Sequence, residues 1–384
     1  MFLVKNKVTE KIEKVKEISA EKISSGVEKV RDSATTKRVS ERIEKVKEVS
    51  SEKMHSGMEK VRESSASKII SAGIDAGKEK AKELKVYSGI DNVLSGEATD
   101  EIIEGCMVLE GGAFRGVYTS GVLDYLMQNG INMRSTVGVS AGALNGVAYV
   151  SGQIGRSARV NLRYRHESDF VGWGAMRKND GIIGFDYLFN EIDKIDPLDK
   201  ERFLNPERQF VVVATNCTTG EAEYFDRDSC SDIYQAIRAS ASMPFVSKMV
   251  DIDGTPYLDG GCACKIPFKW AIEQGHEKIV VIKTRDDSYR KPTPKPQVET
   301  VCDMTYRNYP EFAQAVAKSD ENYNLECDEL EELRRQGRVF VISPSQPVTV
   351  SRIESDMEKL GELYFLGVED AKRNLEALKE YLAK

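Results

Sequence analysis

Val137-Gly138-Val139-Ser140-Ala141-Gly142 is the stretch of the chain that decides its expected fold. It combines an apolar strand end, a turn of the form G-x-S-x-G and the start of a helix. Glycines two residues before and after a serine let the backbone turn sharply from strand into helix. Such a turn leaves the Ser140 hydroxyl exposed at the end of a sheet, above the positive end of a helix. The pattern fixes only three positions and also occurs in ordinary turns. The rest of the chain therefore has to show whether Ser140 has a function or simply lies in a turn.

Apolar segments alternate with helical segments from about residue 105 onward. The predicted strands are apolar along most of their length and cover residues 106–109, 136–139, 210–215, 278–283 and 339–342. The predicted helices cover residues 117–129, 141–150, 232–241 and much of 351–384. Two hairpins are expected, one pairing residues 221–225 with the strand 210–215 and one within residues 250–257. Apolar strands separated by helices predict an α/β fold with a mainly parallel sheet covered on both faces.

The composition indicates the class of protein. The chain has 384 residues, of which 40% are hydrophobic and 30% are charged, and its 7 cysteines are scattered. An odd number without C-x-x-C pairs predicts reduced thiols, and neither zinc nor disulfides. The first apolar run, Met1 to Val4, is too short for a signal peptide, and no apolar run is long enough to span a membrane. We therefore expect a cytoplasmic protein, free or peripheral at the inner face of the membrane, with no metal, cofactor or nucleic-acid partner.

The N-terminal segment is an internal repeat of period 31, in which residues 7–37 match residues 38–68. The sequence VTEKIEKVKE from Val8 returns as VSERIEKVKE from Val39. Residues 1–85 carry 21 Lys and Arg against 15 Asp and Glu, a net +6, whereas the remainder carries 34 against 47, a net −13. Three interpretations stay open for this amphipathic pattern: a solvated helix or disordered tail, a helical coil that forms an oligomer, and a helix on a membrane surface.

Four regions are predicted from these changes of composition. The first is the basic repeat region, and the second is a short linker. The third contains the strands and helices around Ser140, and the fourth is a C-terminal strand with helices. Their predicted bounds are 1–86, 87–104, 105–290 and 291–384.

A second motif, EGGAFRG from Glu110 to Gly116, lies between a predicted strand and a predicted helix. Successive small residues let backbone N–H groups converge on an anion at a helix N-terminus. The nucleotide-binding pattern G-x-G-x-x-G is absent because Ala113 replaces its second glycine. The loop can instead supply an oxyanion hole, whose N–H donors stabilise negative charge on a tetrahedral intermediate.

The third motif is Asp259-Gly260-Gly261, directly after the hairpin predicted within residues 250–257. The two glycines allow close approach of another backbone segment, although aspartate is also common in ordinary turns. A carboxylate placed at a strand end beside a serine can accept the proton of that serine. Asp259 is therefore a candidate partner of Ser140.

Histidine is the usual base for a serine nucleophile, and the chain offers three. His276 is the only candidate, because it completes the chain order of serine, acid and histidine with Ser140 and Asp259. However, it directly precedes the predicted strand 278–283 and so lies at the sheet edge opposite to the serine turn. A dyad of Ser140 and Asp259 is therefore favoured over a triad.

In this order, the three motifs resemble those of the patatin-like phospholipase family. The resemblance covers about residues 105–285 and includes an Ala-Ser-x-x-x-Pro segment from Ala239 to Pro244. The string LEGGAFRGVY from Leu109 resembles bacterial members in particular. This resemblance implies a three-layer α/β/α sandwich that hydrolyses acyl esters with a Ser–Asp dyad. The implied substrate is a phospholipid, a lysophospholipid or another lipid ester.

The resemblance also implies roles for individual residues. Ser140 is expected to be the nucleophile, and Asp259 is expected to accept its proton. The oxyanion loop is expected to consist of the backbone of three residues supported by Arg115, namely Gly111, Gly112 and Ala113. The other motif glycines are expected to permit close backbone packing: Gly116, Gly138, Gly142, Gly260 and Gly261. The family usually has glycine at the position of Ala113, where a positive φ would cost alanine about 1 kcal/mol or more.

Two other functions stay open at this point. An acyltransferase or thioesterase would use the same dyad and differ only in how the acyl-enzyme is resolved. A catalytically inert protein that binds a lipid surface or a partner is the second alternative, and the presence of both Ser140 and Asp259 argues against it.

Apolar residues are also expected to line the site for the lipid chain. The candidates, each equally suited to the core, are Phe114, Met243, Phe245 and Phe268.

Overall fold

The computed structural model describes residues 86–294 and 296–384. The helical repeats predicted for the N-terminal segment lie outside the described residues, as do all three interpretations of them: a solvated helix or tail, an oligomer-forming coil and a membrane-surface helix. The described strands, in chain order, are β1 (Gly96–Glu97), β2 (Ile103–Leu109), β3 (Met133–Val139), β4 (Gln153–Ile154), β5 (Gln209–Asn216), β6 (Ala222–Asp226), β7 (Val250–Ile252), β8 (Thr255–Asp259), β9 (Ile279–Ile282) and β10 (Phe340–Ile342).

Eight of these strands form one mixed sheet, in the order β10-β9-β2-β3-β5-β8-β7, with β6 also paired to β5. The five strands from β10 to β5 are parallel to one another. The pairings of β6 with β5, of β8 with β5 and of β7 with β8 are antiparallel. The prediction of a mainly parallel sheet is thus confirmed, and so are both predicted hairpins.

The described helices are α1 (Gly116–Gln128), α2 (Ala141–Val150), α3 (Arg156–Tyr164), α4 (Trp173–Asn179), α5 (Asp193–Ile195), α6 (Lys200–Phe203), α7 (Ile233–Ser240), α8 (Phe268–Glu273), α9 (Pro296–Thr305), α10 (Pro310–Arg335) and α11 (Met357–Ala383). A π-helical segment covers Tyr187–Ile192, and short 3-10 turns cover Ile90–Asn92, Ala113–Arg115 and Gly260–Cys262. Within the described part of the chain, no helix combines the length and the apolar character that crossing a bilayer requires.

Helices cover both faces of the sheet because its central strands are apolar on both faces. On one face, Met107, Leu109 and Val280 pack with buried residues of α1 and α11. On the other face, Cys106 and Val108 pack with buried residues of α8 and α10. The result is the expected α/β/α arrangement of three layers.

The C-terminal region is built into the same sheet and core. Strand β10 extends the sheet by pairing in parallel with β9. Helix α11 lies directly against α1, where a Cβ atom at Gly121 would come within 2.0 Å of the Tyr364 carbonyl oxygen. The Tyr364 hydroxyl donates to Asp124 of α1 at 2.9 Å. These contacts join the C-terminal region to the sheet and to α1.

Candidate active site

Ser140 occupies a strained turn between β3 and α2. Its backbone has φ 54° and ψ −120°, a conformation that side-chain-bearing residues rarely adopt. Gly142 permits this turn, because a Cβ atom there would lie 2.3 Å from the Leu109 carbonyl oxygen. The start of α2 therefore packs directly against the end of β2, which glycine at position 142 permits.

The strained turn is held by Ser240, the serine of the Ala-Ser-x-x-x-Pro segment, for which the sequence alone indicates no role. The Ser140 N–H donates to Ser240 Oγ at 2.8 Å, and Ser240 Oγ donates to the Val213 carbonyl at 2.6 Å. Ser240 is fully buried at the end of α7. It therefore links the serine turn to β5. Because Ser240 Oγ accepts the Ser140 N–H, that N–H already has an acceptor.

Asp259 lies at the end of β8, next to the serine. Ser140 Oγ donates a hydrogen bond of 2.7 Å to Asp259 Oδ2. The other carboxylate oxygen accepts the Gly261 N–H at 2.8 Å, which fixes the orientation of the carboxylate. Gly260 is required here, because a Cβ atom would lie 2.2 Å from the Val213 carbonyl oxygen. The structure thus brings together two side chains that are 119 residues apart in sequence.

Ser140 and Asp259 are each only 7% exposed. Burial raises the pKa of Asp259, and this effect is opposed by the hydrogen bonds from Ser140 and the Gly261 N–H. The positive charges of Arg352 and Lys265 also lower this pKa, to a smaller extent. A buried carboxylate with a raised pKa is a stronger base than an exposed one, which suits it to take the proton of a hydroxyl.

The glycine-rich loop lies against the serine. Ala113 has φ 51°, so alanine occupies the left-handed region here at a cost of about 1 kcal/mol or more. The Gly111 N–H donates to the Lys265 carbonyl at 3.3 Å. The N–H groups of Gly112 and Ala113 have no acceptor among the residues that the structure describes. Of the three predicted donors, two are therefore free to bind an oxyanion.

Two cavities meet at Ser140 and share the wall residues Ala113, Met243, Arg352 and Ile353. The first, which we call the apolar pocket, is narrow, at about 60 Å³, and is lined by residues that include Phe114, Val117, Leu144, Phe170 and Ile183. The second, which we call the basic cavity, has a volume of about 460 Å³. Its basic wall residues are Arg115, Lys265, Arg285, Lys291 and Arg352.

The candidate lining residues divide between these spaces and the core. Phe114 lines the apolar pocket, Phe245 lines the basic cavity and Met243 lines both. Phe268 lines neither, because it is fully buried in the core between the sheet and α10. Arg115 lies in the wall of the basic cavity, with its guanidinium largely buried. Among the described residues, no group of three or more His, Cys, Asp or Glu is arranged to hold a metal ion.

Neither described histidine lies beside Ser140. His276 precedes β9, at the edge of the sheet remote from the serine turn, and its ring lies 6.1 Å from that of Trp270. His166 Nε2 lies 3.0 Å from the Ser355 carbonyl oxygen. Neither residue lines the apolar pocket or the basic cavity. The described geometry offers Asp259, and no histidine, as the partner of the Ser140 hydroxyl.

Residues 107–272 match the family model described as patatin-like phospholipase, and residues 309–383 match a domain of unknown function, DUF6363. The uncharacterized protein YjjU of Escherichia coli (strain K12) is 32% identical over 185 residues, which cover 46% of this chain and 51% of that protein. The probable lipid hydrolase 463L of Invertebrate iridescent virus 6 is 26% identical over 211 residues, which cover 48% of this chain and 71% of that protein.

Among solved structures, VipD from Legionella pneumophila is similar, with 14% sequence identity and a TM-score of 0.41. The similarity covers 74% of this chain and 68% of that chain. The match to the Escherichia coli relative spans only about half of that protein's length.

Proposed function

We propose that this chain, whose residues 107–272 belong to the patatin-like phospholipase family, hydrolyses fatty acyl esters of lipids through Ser140 and Asp259. The observation that carries the proposal is the 2.7 Å hydrogen bond from Ser140 Oγ to Asp259 Oδ2. A buried carboxylate that already accepts the proton of a serine hydroxyl is poised to remove it. The position of this pair at the junction of two cavities leaves room for both halves of an ester.

The reaction begins when Ser140 Oγ attacks the ester carbonyl carbon and Asp259 takes the hydroxyl proton. The carbonyl oxygen becomes negatively charged, and the N–H groups of Gly112 and Ala113 are free to stabilise it. The tetrahedral intermediate then collapses, the C–O bond to the leaving alcohol breaks, and Asp259 returns the proton to that alcohol. The product of this half-reaction is an acyl-enzyme on Ser140.

The second half-reaction uses water as the nucleophile. Asp259 removes a proton from the water molecule as its oxygen attacks the acyl carbonyl, and the same N–H groups stabilise the oxyanion. Collapse of this intermediate releases a fatty acid and restores the Ser140 hydroxyl with the proton held by Asp259. No metal or organic cofactor takes part in the proposed steps.

The apolar pocket suits the acyl chain of the substrate. Its walls are mostly apolar, and it shares Leu144, Ser157, Asn161 and Phe170 with a further cavity of about 550 Å³. We infer that an acyl chain that enters beside Ser140 passes these shared residues into the larger space. Burial of apolar carbon stabilises binding by about 0.8 kcal/mol for each methylene group, which favours long acyl chains over short ones.

The proposal is tested by measuring release of fatty acid from lysophospholipid and from p-nitrophenyl esters. We expect wild-type protein to hydrolyse these esters, and we expect Ser140→Ala and Asp259→Asn to reduce kcat by at least about 100-fold, as loss of a catalytic group does. His276→Ala is the matched control, because its side chain lies away from both cavities. Loss of activity in the control and not in Asp259→Asn would contradict the dyad.

A transfer arm of the same assay distinguishes hydrolysis from acyl transfer. Glycerol or a lysolipid is added as an alternative acceptor, and the products are separated by mass. We expect free fatty acid as the main product at every acceptor concentration. If transesterified product predominates instead, the chain is an acyltransferase that uses the same two residues.

A further inference from the structure

The basic cavity carries more positive charge than its own acidic residues balance. Its ionisable wall includes five basic residues, given above, and three acidic ones, Glu110, Asp259 and Asp320. The formal balance of these residues is thus +2. Among the described residues, the guanidinium groups of Arg115, Arg285 and Arg352 form no ion pair with any carboxylate. Three arginines of this cavity therefore have no ion-pair partner among the described residues.

The two lysines of the cavity share a single carboxylate. Lys291 Nζ lies 2.7 Å from Asp320 Oδ1, and Lys265 Nζ lies 3.9 Å from the same oxygen. Burial and the positive charge of Lys291 together lower the pKa of Lys265 to about 8, against the opposing effect of Asp320. Burial and the charges of Arg285 and Arg352 likewise lower the pKa of Arg115, to about 10. These cations repel one another, and a bound anion would relieve that repulsion.

Two acidic residues of the wall are already held by hydrogen bonds from other groups. Burial raises the pKa of Glu110, and its carboxylate is occupied by the Thr284 N–H. Asp259 is occupied by Ser140 and the Gly261 N–H. The Nε atoms of Arg115 and Arg285 are buried and have no acceptor among the described residues. Burial of a donor without an acceptor is unfavourable, so these groups favour a ligand that accepts hydrogen bonds.

We propose that Arg352 and Lys291, which lie outside residues 107–272, make this site selective for lipid esters with an anionic phosphate headgroup over neutral ones, by binding that phosphate in the basic cavity while the acyl ester lies at Ser140. This inference rests on the proposed function and assigns its specificity-determining residues. Phosphate fits the wall because guanidinium groups pair with its oxygens through two parallel N–H bonds. A volume of about 460 Å³ also admits a glycerophosphate group, which the narrow apolar pocket does not.

The residues that carry this selectivity come largely from outside residues 107–272. Arg285 and Lys291 follow β9, and Arg352 precedes α11. The Arg352 carbonyl accepts the Phe114 N–H at 3.4 Å, which attaches the C-terminal segment to the loop beside Ser140. Asp320, which holds both lysines, belongs to α10. The C-terminal region thus supplies the headgroup side of the site, and the strand–turn–helix around Ser140 supplies the reacting group.

The headgroup site is tested first by binding, without any reaction. Full-length Ser140→Ala protein is titrated with a 1-O-alkylglycerol 3-phosphate and with the 1-O-alkylglycerol of equal chain length, two ether lipids that differ only by phosphate. We expect the phosphate-bearing ether to bind with a Kd at least about tenfold lower, a difference in affinity that one charge-assisted hydrogen bond can supply. Adding Arg352→Gln or Lys291→Gln should remove most of this difference, and adding Arg352→Lys should restore part of what Arg352→Gln removes.

Lys379→Gln is the matched control, since Lys379 pairs with Glu376 on the surface of α11 and lines neither cavity. We expect it to leave the tenfold preference intact. Equal affinity for the two ether lipids would overturn the proposal, as would a preference that the Arg352 and Lys291 variants leave unchanged. Inorganic phosphate and glycerol 3-phosphate are then compared as competitors of the phosphate-bearing ether. If inorganic phosphate displaces the ether as well as glycerol 3-phosphate does, the cavity is a site for free phosphate and the headgroup assignment is wrong.

Hydrolysis provides the second readout and separates this inference from the proposed function. Wild-type protein should cleave lysophosphatidic acid with a higher kcat/KM than monoacylglycerol of the same chain. In Arg352→Gln the ratio should fall, mainly through a higher KM for the anionic ester. If both esters are cleaved with equal kcat/KM, the headgroup site is refuted and the hydrolase stands. If neither is cleaved although the phosphate-bearing ether binds as expected, the proposed function fails and the anion site stands.

Discussion

The backbone N–H of Ser140 donates a hydrogen bond of 2.8 Å to the hydroxyl of Ser240, whose own proton goes to the Val213 carbonyl. One buried hydroxyl thus joins the turn after β3, the end of α7 and strand β5. It also compensates the strain at Ser140, whose φ of 54° is unfavourable for serine. The position of the Ser140 hydroxyl therefore depends on a residue that does not take part in the proposed reaction.

Ser240→Ala should destabilise the protein and slow its reaction. It leaves the Ser140 N–H and the Val213 carbonyl without their partner, which costs about 1–3 kcal/mol. Ser242→Ala is the control, because within the described part of the chain Ser242 Oγ makes a single hydrogen bond, to the Arg238 carbonyl of its own helical turn. Urea unfolding and the rate of ester hydrolysis measure both effects. Equal behaviour of the two variants would refute a special role for Ser240.

Ala113→Gly should stabilise the protein by up to about 1 kcal/mol. The φ of 51° is unfavourable for alanine, and glycine relieves this strain at a smaller entropic cost in the unfolded chain. Gly112→Ala is the opposite change at the neighbouring position, where a Cβ atom would lie 2.7 Å from Thr284 Oγ1. We expect urea unfolding to show a gain for the first variant and a loss for the second. A loss of more than about 1 kcal/mol in Ala113→Gly would contradict this account.

The pH dependence of kcat/KM should show an acid limb set by Asp259. The carboxylate must be unprotonated to accept the serine proton, and burial raises its pKa above the ordinary carboxyl value of about 4. Activity should therefore fall as the pH decreases through this raised pKa. Arg352→Gln removes a positive charge that lowers the pKa of Asp259, so its acid limb should move to higher pH. A limb that stayed in place, or moved to lower pH, would be inconsistent with Asp259 as the base.

Asp124→Asn should change how stability depends on pH. Burial raises the pKa of Asp124 to about 7, despite hydrogen bonds from the Gly155 N–H and the Tyr364 hydroxyl. Between pH 4 and 7 the folded protein therefore holds a proton that the unfolded chain has lost, and stability falls as the pH rises through this window. Asparagine does not ionise, so the stability of Asp124→Asn relative to wild type should rise by about 2–3 kcal/mol from pH 5 to pH 8. Urea unfolding at the two pH values measures this; a difference independent of pH would show that Asp124 does not titrate in this range.

Much of the fold could be predicted because its signals are local. The strands around residues 108, 137, 212 and 281 are apolar on both faces, and this requires helices on both sides of a parallel sheet. The two hairpins are likewise local, since each joins neighbouring strands. Helix α10 carries no such signal, because only a few of its 26 residues are buried and its charged residues dominate the pattern. Its length and its position against the sheet depend on tertiary packing.

The candidate site likewise has one part that local sequence signals predict and one part that depends on tertiary packing. Ser140, Asp259 and the loop from Gly111 to Ala113 are marked by neighbouring glycines, at most of which a Cβ atom would come too close to another segment. By contrast, the basic cavity collects charged residues from the loops after β8 and β9, from α10 and from the segment before α11. No spacing in the sequence relates Lys265, Lys291 and Arg352, because only the sheet order and the packing of the C-terminal helices bring them together.

The most direct test of the central claim is covalent labelling by a fluorophosphonate probe, read by intact mass and peptide mapping. The account predicts one adduct on Ser140 of the wild-type protein, none in Ser140→Ala, and a labelling rate lowered by at least about tenfold in Asp259→Asn. His276→Ala should label at the wild-type rate, since its ring lies at the opposite edge of the sheet. A folded wild-type protein that does not label, or an adduct that persists in Ser140→Ala, would contradict the assignment of Ser140 as the nucleophile.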